Sequence, residues 1–148
     1  MIDGVVEMKT SLFNWLDSSS MGRSVLFVME YPSYSMAGPQ KESQIVISVE
    51  RLEVLPGGLG GYAAANSTGQ PITGKTVRGT LILEIFAAPR HSGNRCSFYF
   101  DELRSVLLLP ECPVAVRSIT AGKIFFDPEA GANRLPVRVQ VEFGWAQG

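Results

Sequence analysis

Between Leu135 and Trp145 every second residue is large and apolar. Val137, Val139, Val141, Phe143 and Trp145 share one side, and Arg138, Gln140 and Glu142 share the other. A period of two is the mark of a strand with one buried and one wet face. Residues 76 to 86 repeat the pattern: Val77, Leu81, Leu83 and Ile85 point one way, and Thr76, Arg78, Thr80 and Glu84 the other. Alternation this regular predicts an antiparallel sheet with one wetter face. Ile82 and Phe86 fall on the wetter side, which predicts that it is partly covered.

The remaining elements fit around those two strands. Residues 8 to 17 place Met8, Leu12, Trp15 and Leu16 at helical spacing, and Ser18, Ser19, Ser20 and Gly22 end that helix. Val25 to Met29 is a short apolar strand, followed by an irregular connection with Pro32 and Pro39. Residues 44 to 54 read as a strand with a fault, because Ile45, Ile47 and Val49 have one parity and Leu52 and Val54 the other. One extra residue near Glu50 and Arg51, a β-bulge, puts all five on one face. Residues 94 to 109 form the best helix, with Cys96, Tyr99, Phe100, Leu103, Val106 and Leu107 on one stripe and Pro110 as its stop. Residues 114 to 126 and 135 to 145 predict two closing strands around a turn at 127 to 133.

Residues 56 to 75 hold six of the fifteen glycines and one charge, Lys75. The run Pro56-Gly57-Gly58-Leu59-Gly60-Gly61-Tyr62 predicts a long irregular loop. The expected order is α, short β, β, loop, β, α, β, β. That order predicts a single α+β domain over 1–148: an antiparallel sheet with helices packed on one face, a two-layer sandwich, carrying an extended Gly-rich loop insertion at 56–75.

Composition narrows the class without naming a function. A formal net charge of −1 does not fit a nucleic-acid binder held by a large basic excess. At 45% hydrophobic the chain is too apolar to be disordered, and two cysteines are too few for a disulfide scaffold. Cys96, on the apolar helical stripe, is expected to be a buried, inert thiol. No apolar run approaches the ~18 residues of a membrane span, and the first residues, with Asp3 and Glu7, do not read as a secretory signal. The reading is of a soluble protein made in a reducing cytoplasm.

No catalytic set assembles from the residues. His91 is the single histidine, and without a cysteine cluster it makes no zinc site. Gly69-Gln70-Pro71-Ile72-Thr73-Gly74-Lys75-Thr76 fits the phosphate-loop pattern literally. A phosphate loop follows a buried strand and opens a helix, whereas here a loop precedes the motif and a strand follows it. Pro71 also removes an N–H donor. Asp101 and Glu102 are adjacent on a helix and diverge, and Asp127 and Glu129 sit in a turn. The expectation is a protein that is not an enzyme and has no cofactor and no metal. Nine arginines against four lysines lean towards planar ion pairs at protein interfaces.

Several phrases resemble phage tail proteins of the terminator, or tail-completion, type. They are Gly79-Thr80-Leu81-Ile82-Leu83-Glu84-Ile85-Phe86 with the helix after it, Ser118-Ile119-Thr120-Ala121-Gly122-Lys123-Ile124-Phe125-Phe126-Asp127, and Gly131-Ala132-Asn133-Arg134-Leu135-Pro136-Val137-Arg138-Val139. The Pro56 to Tyr62 phrase is similar to that of small tail-module proteins. Together these cover about the C-terminal two-thirds of the chain. The resemblance implies an α+β subunit of a hexameric ring in the virion neck, assembled in the host cytoplasm. Such a ring caps the tail tube protein, receives the head–tail connector protein on its other face, and lets DNA pass through its lumen without specific binding.

In that setting the work falls to surfaces. Candidate contacts are Leu59 and Tyr62 on the glycine-rich loop, Tyr31, Tyr34 and Met36 on the irregular connection, and Arg90 and Arg95 ahead of the long helix. The alternatives are another neck, connector or minor tail subunit, or a small binding module with its site in the 56–75 loop that reads phosphate through Gly74-Lys75-Thr76.

Overall fold

The computed structural model describes residues 5–29, 43–56, 62–65, 71–88 and 94–147. In chain order these form α1 (Val5–Asp17), a 3-10 turn (Ser20–Arg23), β1 (Leu26–Met29), β2 (Gln44–Pro56), β3 (Tyr62–Ala65), β4 (Pro71–Ala87), α2 (Asn94–Leu107), β5 (Ala115–Ala121), β6 (Phe125–Asp127) and β7 (Ala132–Gln147). One sheet takes up the seven strands in the order β1-β2-β4-β7-β5, with β3 also beside β4 and β6 also beside β7. The fold is the predicted α+β sandwich. Its pairs are antiparallel except that β1 runs parallel to β2.

Both helices pack on one face, and the strand parity decides which. Ile45 and Ile47 of β2, Val77, Leu81, Leu83 and Ile85 of β4, and Leu135 to Phe143 in steps of two on β7 are buried there. Met8, Leu12 and Leu16 of α1 meet them at four-residue spacing, one helical stripe. From α2 come Cys96, Tyr99, Leu103, Val106 and Leu107. Each such leucine or isoleucine contributes roughly 1.5–3 kcal/mol by leaving water. Cys96 is fully buried, as its stripe predicts, and burial pushes its thiol up from the ordinary range.

The predicted bulge is present. The register steps from Val49 opposite Leu81 to Arg51 opposite Thr80, leaving Glu50 as the extra residue. Past the step, Leu52 packs against the same core as Ile45 and Ile47, while Val54 is exposed.

Two expectations are corrected. The 56–75 stretch is not one irregular loop, because Tyr62–Ala65 and Pro71–Lys75 pair as strands; residues 57–61 and 66–70 lie outside the described residues. Pairing with a long neighbour supplies the backbone hydrogen bonds that weak local propensity does not predict. The single strand expected over 114–126 is two strands, β5 and β6. Its break lies opposite Pro136, which has no N–H to donate to a ladder. There the Gly122 amide instead donates to the Pro136 carbonyl at 2.8 Å.

Candidate functional site

The helix-free face of the sheet carries a mosaic of arginines and carboxylates. Its centre is set by two bulges at the same level. The first is the β2 bulge at Glu50. The second is in β5, where Val116 faces Val141 and Ser118 faces Gln140, leaving Arg117 as the extra residue. Thr80 and Gln140 are themselves register partners. A row Arg51–Thr80–Gln140–Ser118 therefore crosses four strands with a bulge at each end. Bulges raise local twist and re-aim side chains. A hollow of about 410 Å³ lies at this row, and its lining includes Arg51, Glu53, Arg78, Thr80, Arg117 and Glu142.

Ion pairs frame the hollow. Arg117 donates Nε to Glu142 Oε2 at 3.0 Å. Arg138 donates Nε and Nη2 to the two oxygens of Glu50, each at 2.9 Å. This bidentate bond holds the Glu50 carboxyl below its usual range and raises Arg138. Arg51 and Arg78 make no hydrogen bond or ion pair with any side chain among the described residues.

Further along the same face lies a second, drier cluster. Arg134 donates Nε to Glu84 and Nη1 to Asp127 Oδ2, the latter at 2.9 Å. Its guanidinium lies over the Phe86 ring at 5.0 Å and the Phe125 ring at 5.8 Å. Phe86 is buried with Val46, Ala130 and Ala132, so the polar side of the sheet is partly covered, as its apolar residues predict. Burial raises Asp127, but the bonds from Arg134 and the amides of Ala130 and Glu129 outweigh it and leave the carboxyl below its ordinary value.

Of the residues singled out from the sequence, Arg95 is described. It opens α2 with its guanidinium 5.2 Å from the Phe98 ring centre and 5.9 Å from that of Tyr99. Tyr62 stands in β3 opposite Thr73. Leu59, Tyr31, Tyr34, Met36 and Arg90 lie outside the described residues, as does His91. Arg95 at the start of α2 and Tyr62 in β3 are thus the candidates that fall on described elements. Gly74-Lys75-Thr76 falls inside β4, with strand on both sides and no helix opening after it. That is not the setting of a phosphate loop.

The arginine face was missed in the sequence, although half its signal was present. The β5 bulge shows as a parity step from Val116 to Ile119, the same kind of fault that revealed the β2 bulge. Among the described residues no group of three or more His, Cys, Asp or Glu is placed to hold a metal ion. No described helix is long and apolar enough to cross a membrane. The sequence matches no protein-family model and no curated protein.

Proposed function

We propose that the chain is a structural subunit of a closed ring, of the kind that phage tail terminators form at the head-proximal end of the tail tube. The observation that carries this reading is the pair of unlike sheet edges. β1 and β5 are the outermost strands, and each pairs on one side only among the described residues. Following the strand directions across the sheet, β5 and β1 run antiparallel. A second copy set alongside in the same orientation thus brings its β1 antiparallel to the first copy's β5. Joining two different edges is a head-to-tail contact, which closes into a ring when the rotation allows. β5 is open to such pairing, with Ala115, Arg117, Ser118, Thr120 and Ala121 exposed.

The ends of the subunit support two axial partners. Leu108 and Leu109, 61% and 47% exposed, sit where the chain enters β5, near the Glu142 end of β7. Phe125 and Phe126, 45% and 59% exposed, sit at the Arg134 end. Eight residues of strand separate the two levels, a rise of roughly 26 Å. Apolar side chains at opposite poles suit a ring that meets the tail tube protein on one face and a connector on the other.

Electron microscopy of tail tube protein polymerised with and without the chain tests the proposal. Capped tubes of limited length are expected. Tubes of unchanged length with no ring at either end would refute it.

A further inference from the structure

The hollow at the double bulge goes beyond ring formation. We propose that it docks an acidic, extended segment of a partner protein, with Arg51 and Arg78 each receiving one carboxylate.

Spacing is the first support. Arg51 faces Thr80, and Arg78 lies two residues before Thr80 on the same strand face. The two arginines are diagonal neighbours on adjacent strands, about 7–8 Å apart at the backbone. Carboxylates two positions apart on an extended chain are about 6.6 Å apart, because each residue rises ~3.3 Å. One acidic residue, one spacer and a second acidic residue match the pair.

Charge is the second. Both arginine side chains are exposed and make no hydrogen bond or ion pair among the described residues, whereas Arg117 and Arg138 are already committed to Glu142 and Glu50. A guanidinium presents a planar fork of donors that fits a carboxylate bidentately. The floor adds the Thr80 hydroxyl and the Gln140 amide. The hollow's volume, about 410 Å³, accommodates a few side chains.

The flanking acids select the partner class. Glu53 and Glu142 stand opposite Arg78 on either side. A nucleic-acid strand carries a phosphate every ~3.4 Å along its axis and would press further charges onto them. A peptide with neutral or basic neighbours around two acidic side chains avoids that repulsion.

The test is an NMR titration of the full chain, following the arginine Nε–H signals. The probe is a short capped peptide with two glutamates separated by one serine. Saturable shifts at Arg51 and Arg78 are expected, with binding weakened by about fivefold or more in Arg51→Gln and in Arg78→Gln. A control peptide with adjacent glutamates should bind more weakly. Both variants change exposed side chains, and circular dichroism checks that they fold. The proposal is overturned if the peptide gives no saturable shift, or if the variants bind it as well as the parent. Tighter binding of a DNA oligonucleotide to the same arginines, or saturation by inorganic phosphate alone at the same concentration, would overturn it too.

Discussion

Arg138 on β7 holds Glu50 on β2 through two hydrogen bonds of 2.9 Å, although β4 runs between their strands. Arg138 faces Ile82 of β4 and reaches over it, and Glu50 is available because the bulge makes it the extra residue of β2. A sequence irregularity thereby becomes a tie across three strands.

That tie makes stability depend on pH. Glu50 and Asp127 both titrate below their ordinary values in the folded chain, Glu50 chiefly through Arg138. A carboxyl lowered by folding contributes stability that is present above its unfolded value and lost as pH falls through the folded one. Urea midpoints should therefore hold at neutral pH and decline once pH drops below about 4, near ordinary Asp and Glu values. Glu50→Gln and Asp127→Asn should each flatten that decline. An unchanged acid slope in both variants would contradict the assignment.

Arg134 matters for a different reason, the burial of its partner. Glu84 is only 9% exposed, so Arg134→Ala strands a buried carboxylate and removes the cover over Phe86. The expected loss is about 2–3 kcal/mol by urea denaturation, below the cost at a fully dry site. Pairing Arg134→Met with Glu84→Leu should recover most of it, because no charge is then left buried alone. A double variant as unstable as Arg134→Ala would show that the ion pair itself is needed.

Two glycines are predicted to resist replacement for separate reasons. A Cβ on Gly22 would lie 1.8 Å from the Asp17 carbonyl oxygen, so Gly22→Ala forces the backbone after α1 to move. About 3 kcal/mol of stability should be lost, at the top of the ordinary range for one substitution. Gly131 closes the β6–β7 turn at φ 62°, where its amide bonds the Asp127 carbonyl at 2.8 Å. Gly131→Ala should cost about 1–2 kcal/mol, the strain of a left-handed residue with a side chain. Thermal denaturation ranks the two, and Gly22→Ala should melt lower.

How much of this was legible depends on whether the signal is local. The faces of β4 and β7, the core stripes of both helices and the Glu50 bulge follow from spacing along the chain, because burial of one face imposes a period. The parallel pairing of β1 and the split between β5 and β6 follow from neighbouring strands, and β3 from its pairing with the start of β4, none of which shows in the spacing of their own residues. Pro136 interrupting the strand opposite it is an example: nothing within 114–126 records where that proline will stand. The arginine face needed both bulges and the register between them. Arg51 and Arg78 look like ordinary polar alternation until β2 and β4 are set side by side.

Native mass spectrometry of the chain, beside Leu26→Lys on the outer edge of β1, tests the ring most directly. Leu26 is 46% exposed on that edge, and an edge lysine opposes strand addition. A single closed oligomer is expected for the parent chain and a monomer for the variant. A parent chain that stays monomeric at micromolar concentration, or an oligomer untouched by Leu26→Lys, would contradict it.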